Sequence, residues 1–167
     1  MDSYLFLKGG LDGMKPPKLI LKIDSREQKP LEFREGIFDE IVTEGLPVGD
    51  YWAELEGKEL PLCFERKSLG DLFGTMTHGY ERWKNMMDKA SQLGLTVILL
   101  IEGSLQDIFK GYKHSQFSGE SMLKKLAMLR VKHDLEWHCF NNRREMARFI
   151  EEFFDAVRRN FSRNEGK

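Results

Sequence analysis

The sequence predicts an α/β fold, a mixed sheet flanked by helices, and three observations point to it. Thr96-Val-Ile-Leu-Leu-Ile101 is a continuous apolar run, the pattern of a strand buried on both faces. Segments with a helical apolar period, at 80–93, 119–133 and 143–160, alternate with short runs rich in aliphatics. Two such runs, 51–55 and 60–64, are separated by a Gly-containing loop and read as a hairpin. Strands that alternate with helices make an α/β layer rather than a bundle or a sandwich.

Along the chain, Lys18-Leu-Ile-Leu-Lys-Ile-Asp24 is the first strand and ends on an acidic residue. Residues 33–44 follow with Phe33, Ile37, Phe38, Ile41 and Val42 at helical spacing and Gly45 as a stop, which predicts a helix. In the hairpin, a two-residue loop at Gly57-Lys58 sets residue 50 opposite residue 65. Pro61 must then take an edge or non-bonded position. Residues 68–76 read as a helix with Ser68 as N-cap and Asp71 in the first turn. The helix over 80–93 is closed by Gly94, and the strand at 96–101 follows. A helix over 119–133, a strand at 136–140 and a helix over 143–160 complete the order. The expected division is a polar leader at 1–17, a single domain at 18–160 and a tail at 161–167.

With 167 residues, 41% hydrophobic and 32% charged, the chain is long enough for one domain with a real core. No apolar stretch approaches the roughly 20 residues of a membrane-spanning helix, so no membrane partner is expected. The first residues lack the layout of a secretory signal. Two cysteines, Cys63 and Cys139, form no CxxC pair. They fit a reducing compartment better than a disulfide framework or a zinc site. The expected location is the cytoplasm, beside the nucleoid or in a phage-infected cell, or the nucleus if the source is eukaryotic. A net charge of −1 excludes a globally basic nucleic-acid binder. An enzyme that collects carboxylates for a metal lowers its own net charge, however, and local basic clusters can still meet phosphates.

The chemistry gathers at strand ends: Asp24, Glu27, Asp50, Glu65, Lys67 and Asp71. With residue 50 opposite residue 65, two carboxylates converge, and Lys67 shares the face of Glu65 two residues earlier. Such carboxylates repel unless a cation lies between them, and hard oxygen ligands suit Mg²⁺ or Mn²⁺ better than zinc. A lysine beside them can hold an attacking water or stabilise a phosphorane-like transition state. Each residue also has a plainer role. Glu65-Arg66-Lys67 alone is more often a solvated charge run, Asp71 a complement to a helix dipole, and Asp50 a turn residue. Their shared placement on one edge favours a site.

These same residues resemble the nuclease domain of the XPF-type structure-specific endonucleases. Asp24-Ser25-Arg26-Glu27, then Leu46-Pro47-Val48-Gly49-Asp50-Tyr51, then Glu65-Arg66-Lys67-Ser68-Leu69-Gly70-Asp71 match D-x-R-E, V-G-D-Y/F and E-R-K-x-x-x-D in order. The likeness continues through 79–87, with Arg82 at the usual arginine, through Leu99-Leu100-Ile101-Glu102-Gly103, and through 119–154. It covers about residues 18–155. It implies a restriction-endonuclease-like fold and Mg²⁺- or Mn²⁺-dependent hydrolysis of DNA phosphodiesters, with branched, forked or flapped DNA preferred over plain duplex. By the family's pattern Asp50 and Glu65 ligate the metal, Lys67 serves the water, and Asp24, Glu27 and Asp71 complete the acidic cluster. Arg26 and Arg66 orient carboxylates or contact phosphate. Relatives commonly carry a tandem helix-hairpin-helix module. This chain ends at Lys167 without room for one, so a separate DNA-binding partner is a further expectation. Asn85 stands where relatives often have Gln or Glu.

The histidines at 78, 114, 133 and 138 lack ligand spacing and read as structural or surface residues. Lys113 lies in a loop that can reach DNA, although a plain surface loop is the simpler reading. Phe149, Ile150, Phe153, Phe154, Val157 and Phe161 give the last helix an apolar face, which fits either a homodimer or ordinary core packing. The competing functions are a non-catalytic DNA-binding or scaffold subunit and a nuclease for plain single- or double-stranded DNA. The complete carboxylate and lysine set argues against the first.

Overall fold

In a computed structural model that describes residues 15–164, the aliphatic runs assemble into one six-stranded mixed sheet in the order β2-β1-β3-β4-β5-β6. The strands are β1 (Leu19–Asp24), β2 (Glu40–Glu44), β3 (Tyr51–Leu55), β4 (Lys58–Ser68), β5 (Thr96–Glu102) and β6 (Glu136–Phe140). The helices are α1 (Leu69–Thr77), α2 (Tyr80–Gln92), α3 (Leu105–Lys110), α4 (Gly119–His133) and α5 (Arg143–Asn164). β1 pairs parallel to β2 and antiparallel to β3, β3 pairs antiparallel to β4, and β4, β5 and β6 run parallel. The C-terminal ends of β1, β4, β5 and β6 and the start of β3 therefore meet at one end of the sheet.

β5 shows why its sequence is a continuous apolar run. Val97, Leu99 and Ile101 pack on one face with Leu72, Trp83 and Leu126 of α1, α2 and α4. Ile98 and Leu100 pack on the other face with Met146, Ile150 and Phe154 of α5. Both faces are dry, so no polar residue can alternate. The apolar face of α5 is likewise used within the chain: Ile150 and Phe154 are fully buried, and Phe149, Phe153, Val157 and Phe161 pack half-buried against the same core. The helix continues to Asn164, so residues 161–164 are helical rather than tail. Most of the leader, residues 1–14, lies outside the described residues.

Residues 33–44 do not form the expected helix. They form an irregular stretch followed by β2. The competing interaction is the open edge of β1, whose ladder Glu40–Glu44 completes from Ile20↔Glu40 to Asp24↔Glu44. Phe33 and Phe38 pack edge-on against Tyr51 and Phe154. Burial and an unmet strand edge outweigh a helical spacing of apolar residues. A second element, α3, has no apolar period in so short a segment. Its signal is the capping box between Ser104 and Asp107.

The hairpin turns one residue earlier than expected, at Glu56-Gly57, where φ is 50° and 76°. Both residues are left-handed, the requirement of a turn that matches strand twist. Taken alone this register would set Asp50 away from Glu65. An irregularity corrects it: Glu54 pairs with Glu59, but Trp52 pairs with Cys63, so β4 holds extra residues opposite Ala53. Pro61 lies in that bulge, where its missing N–H breaks no ladder bond, and the Trp52 indole donates to the Leu60 carbonyl at 2.8 Å. Beyond the bulge Tyr51 pairs with Phe64, as expected from the sequence.

Candidate active site

At the common end of the sheet, the Asp50 amide donates to the Phe64 carbonyl at 2.8 Å, and the Asp24 amide donates to the Asp50 carbonyl at 2.9 Å. The three acidic strand ends are thus tied through backbone. Gly49 makes this crossing possible. Its φ is +74°, and a Cβ there would lie 2.8 Å from Cys63 Sγ and 3.1 Å from the Phe64 carbonyl oxygen. A glycine before Asp50 satisfies both the left-handed backbone and the close approach of β4.

Asp24, Arg26, Asp50, Glu65, Lys67 and Arg82 line one open cleft of about 450 Å³ between the sheet end and α2. Its carboxylates differ in how they are satisfied. Burial raises the Asp24 carboxyl, but Arg26 more than reverses this. The guanidinium forks onto Asp24 at 2.8 and 2.7 Å and holds the carboxyl below its usual range. Arg26 also donates to the Leu46 carbonyl at 2.6 Å. Glu65 is buried, and Lys67 Nζ lies 2.6 Å from its Oε1. Asp50 accepts the Arg66 amide on Oδ2 at 2.7 Å. That bond and the charge of Lys67 do not offset burial and the facing Glu65, which push the Asp50 carboxyl up to about 7. The same surplus of negative charge acts on Cys63 beneath it. Burial, then Glu65 and Asp50, raise its thiol to about 12.

Arg66 points to the opposite face of β4 from Glu65 and Lys67, as strand alternation requires. Its guanidinium bonds Glu27 at 3.2 and 3.1 Å and Glu102 at 3.0 Å. Glu27 and Arg66 are therefore neighbours of the cleft and not part of its lining. Asp71 stands apart: it is exposed and bonds Ser68 Oγ at 2.7 Å in the cap of α1. Lys113 is also exposed, beyond α3 and away from the cleft lining.

Three residues not singled out as site candidates belong to this arrangement. Lys89 and Thr75 line the cleft, and Glu102 is the second anchor of Arg66. The α2 wall had a legible signal, because Arg82, Asn85, Met86 and Lys89 recur at three and four residues and so share one helical face. Thr75 and Glu102 had none without the pairing of elements.

The donors available for a metal fit a hard cation. Among the described residues, Asp50 Oδ1 and Glu65 Oε2 have no hydrogen-bond partner, and the unrelieved charge on Asp50 is what a divalent ion would neutralise. Among the described residues, no group of three or more His, Cys, Asp or Glu side chains is placed to hold a metal. The protein would thus supply two carboxylates, which suits an ion that keeps several waters.

The fold and the cleft define an α/β domain with paired carboxylates and a lysine at the end of a mixed sheet. A family model for the ERCC4 domain matches residues 23–153, most of the chain, and the chain belongs to that family of DNA nuclease and repair domains. XPF from Aeropyrum pernix superimposes with a TM-score of 0.60 at 19% identity, over 80% of this chain and 63% of that one. XPF from the same organism in complex with DNA gives a TM-score of 0.58 at 17% identity, over 86% of this chain and 64% of that one. The chain thus spans less than two thirds of the length of these structures, and at such identities the likeness establishes the fold. No curated protein sequence matches.

Proposed function

We propose that the chain is a divalent-metal-dependent endonuclease that hydrolyses DNA phosphodiesters, with Mg²⁺ or Mn²⁺ held by Asp50 and Glu65. The observation that carries this reading is the carboxylate pair of buried Glu65 and half-buried Asp50, with Asp50 pushed up to about 7 and Lys67 alongside. When bound, the ion supplies an activated water and neutralises charge on the phosphate. Lys67, 2.6 Å from Glu65, orients the attacking water and places a positive charge where the pentacovalent transition state develops negative charge. Arg82 and Lys89 on the α2 wall meet phosphates flanking the cut. Asp24 holds Arg26 against the Leu46 carbonyl and so stiffens the segment leading into Gly49-Asp50. Asp71 acts indirectly, through the Ser68 cap that fixes the strand–helix junction just after Lys67.

DNA as the substrate is supported by the family and by the DNA present in one Aeropyrum pernix XPF structure. The preference for branched, forked or flapped DNA rests on motif resemblance. The test is cleavage of labelled flap, fork, Holliday-junction and linear DNA with Mg²⁺, Mn²⁺ or EDTA. Asp50→Ala and Lys67→Ala are each expected to lower the rate by about 10²–10⁴-fold. No metal-dependent cut on any substrate, or full activity in both variants, would sink the reading. DNA binding without any cut would favour the scaffold alternative.

A further inference from the structure

The end of the sheet that carries the cleft has a second concavity on its other face. Beside the start of α5, a cavity of about 470 Å³ is lined by Arg34, Arg143, Arg144 and Arg148 together with Glu32 and Glu151. Four guanidiniums line it with two carboxylates, and Glu152, outside the lining, pairs with Arg34 Nη2 at 2.9 Å and Arg148 Nη2 at 3.7 Å. Glu151 is 1% exposed. It accepts from the Arg34 amide at 2.7 Å and from Arg34 Nε at 2.6 Å, with Arg148 Nε at 3.8 Å. Arg143 is fixed differently, by donation to the Lys29 carbonyl at 2.6 Å and the Pro30 carbonyl at 3.1 Å. Arg144 is exposed and, among the described residues, makes no hydrogen bond or ion pair, so its guanidinium is available at the cavity wall.

The cavity is coupled to the cleft through side chains. Arg143 Nη1 lies 3.7 Å from Glu102, Glu102 bonds Arg66 at 3.0 Å, and Arg66 bonds Glu27. The Arg66 amide in turn binds Asp50. A chain of alternating charges therefore runs from the rear of the carboxylate pair to the arginine cavity, and both open at the same end of the sheet.

We propose that this cavity is a second phosphate site, which receives a backbone phosphate of the DNA whose scissile phosphate lies in the cleft. The proposal rests on the nuclease reading. In the cleft Arg26 and Lys67 are engaged by Asp24 and Glu65, which leaves Arg82 and Lys89 as its outer cations, so further affinity for a polyanion must come from cations beyond it. Planar guanidiniums already tethered to the cavity wall are suited to bidentate contact with phosphate oxygens and lose little freedom on binding. The occupant is assigned to DNA, and not to a free anion or a phosphorylated peptide, because the cavity shares an edge and an ion-pair chain with the cutting site.

The test is binding of a labelled fork and a linear duplex in EDTA, followed by fluorescence anisotropy across a salt series, with cleavage in Mg²⁺ or Mn²⁺ measured separately. Arg144→Ala and Arg144→Glu are compared with the unsubstituted chain. Arg144 is exposed and unpaired among the described residues, so thermal midpoints are expected to stay unchanged. Arg144→Ala is expected to weaken binding about three- to tenfold on both DNAs and to lower the salt slope by about one phosphate contact, with a larger loss for Arg144→Glu. A single neutral methylphosphonate linkage, walked along each strand, should weaken the unsubstituted chain at a position off the scissile phosphate. At that position it should have no further effect on Arg144→Ala. Unchanged affinity and salt slope in both variants would overturn the proposal, as would competition for the cavity by inorganic phosphate or a phosphopeptide with no DNA effect. Those results, in a chain that still cuts, would leave the nuclease reading intact. Loss of binding in Arg144→Glu of a chain that cuts nothing would uphold the site and refute the nuclease reading.

Discussion

Two groups of carboxylates sit on this sheet, and they differ in what neutralises them. Around Lys22 on β1, Glu59, Glu44 and Glu54 bring oxygens to 2.9, 3.2 and 3.3 Å of Nζ. The hydrogen bond to Glu59 is the largest cause of a lysine held well above its ordinary range, although burial acts against it. That cluster contains its own cation at its centre. At the far end of β1 and β3, Asp50 and Glu65 face one another with the lysine to one side, on Glu65. Burial and the facing Glu65 hold the Asp50 carboxyl up at about 7, and the Arg66 amide and Lys67 do not offset them. Acidic residues on strands are common to both regions. What separates a structural staple from a candidate metal centre is whether the positive charge is built in.

Gly49→Ala is expected to have the largest effect on the fold of the site. It places a Cβ in a left-handed backbone and against Cys63 and the Phe64 carbonyl, for a combined cost of about 2–4 kcal/mol. Urea unfolding measures the cost, and cleavage should fall with it because Asp50 must move. Lys22→Met probes the other cluster. It leaves three glutamates without their cation and is expected to cost about 1–3 kcal/mol of stability while cleavage per folded molecule stays unchanged. A matching loss of cleavage would mean that the two regions are not independent. Asp71→Ala is expected to have the smallest effect, about 0.5–1 kcal/mol from loss of the Ser68 cap partner. Its effect on cleavage should be far below that of Lys67→Ala. An equal loss would place Asp71 in the chemistry itself.

Much of this comparison was legible in the amino-acid order, for reasons that differ by element. β5 could be read because burial on both faces leaves a run of aliphatics, and α2 and α4 because one buried stripe leaves a helical period. β2 could not, since its helical spacing is overridden by the open edge of β1, and that edge is a property of the assembled sheet. The pairing of Asp50 with Glu65 was anticipated through a turn placed one residue late. It holds because the irregularity near Pro61 restores the register, which no count along the hairpin shows. Within the site, Glu65 and Lys67 share a face by simple alternation. Arg66, by the same alternation, turns away to Glu27 and Glu102, and Glu102 comes from a strand whose neighbour the sequence does not name. Asp71 is grouped with the carboxylates by its place in the motif, and its position in the first turn of α1, bonded to the Ser68 cap, is legible from the Ser68-x-x-Asp71 spacing.

The charge deficit at Asp50 has a direct consequence for stability. Its carboxyl is raised from 3.8 to about 7 in the folded chain, so protonation favours the folded state over the unfolded one. The stabilising contribution is complete below about pH 4 and is lost as pH rises through about 7. A divalent ion should replace the lost proton. At a metal concentration about 100 times Kd, binding to the folded state alone adds about 2.7 kcal/mol. The decisive measurement is the thermal midpoint between pH 5 and 8, with Mn²⁺ and with EDTA, for the unsubstituted chain and Asp50→Asn. The expected result is a Mn²⁺-dependent rise that grows with pH in the unsubstituted chain and is absent in Asp50→Asn, whose midpoint in EDTA should also lose the decline toward pH 8. An equal Mn²⁺ effect in both proteins, or none in either, would contradict a metal centre at Asp50 and Glu65.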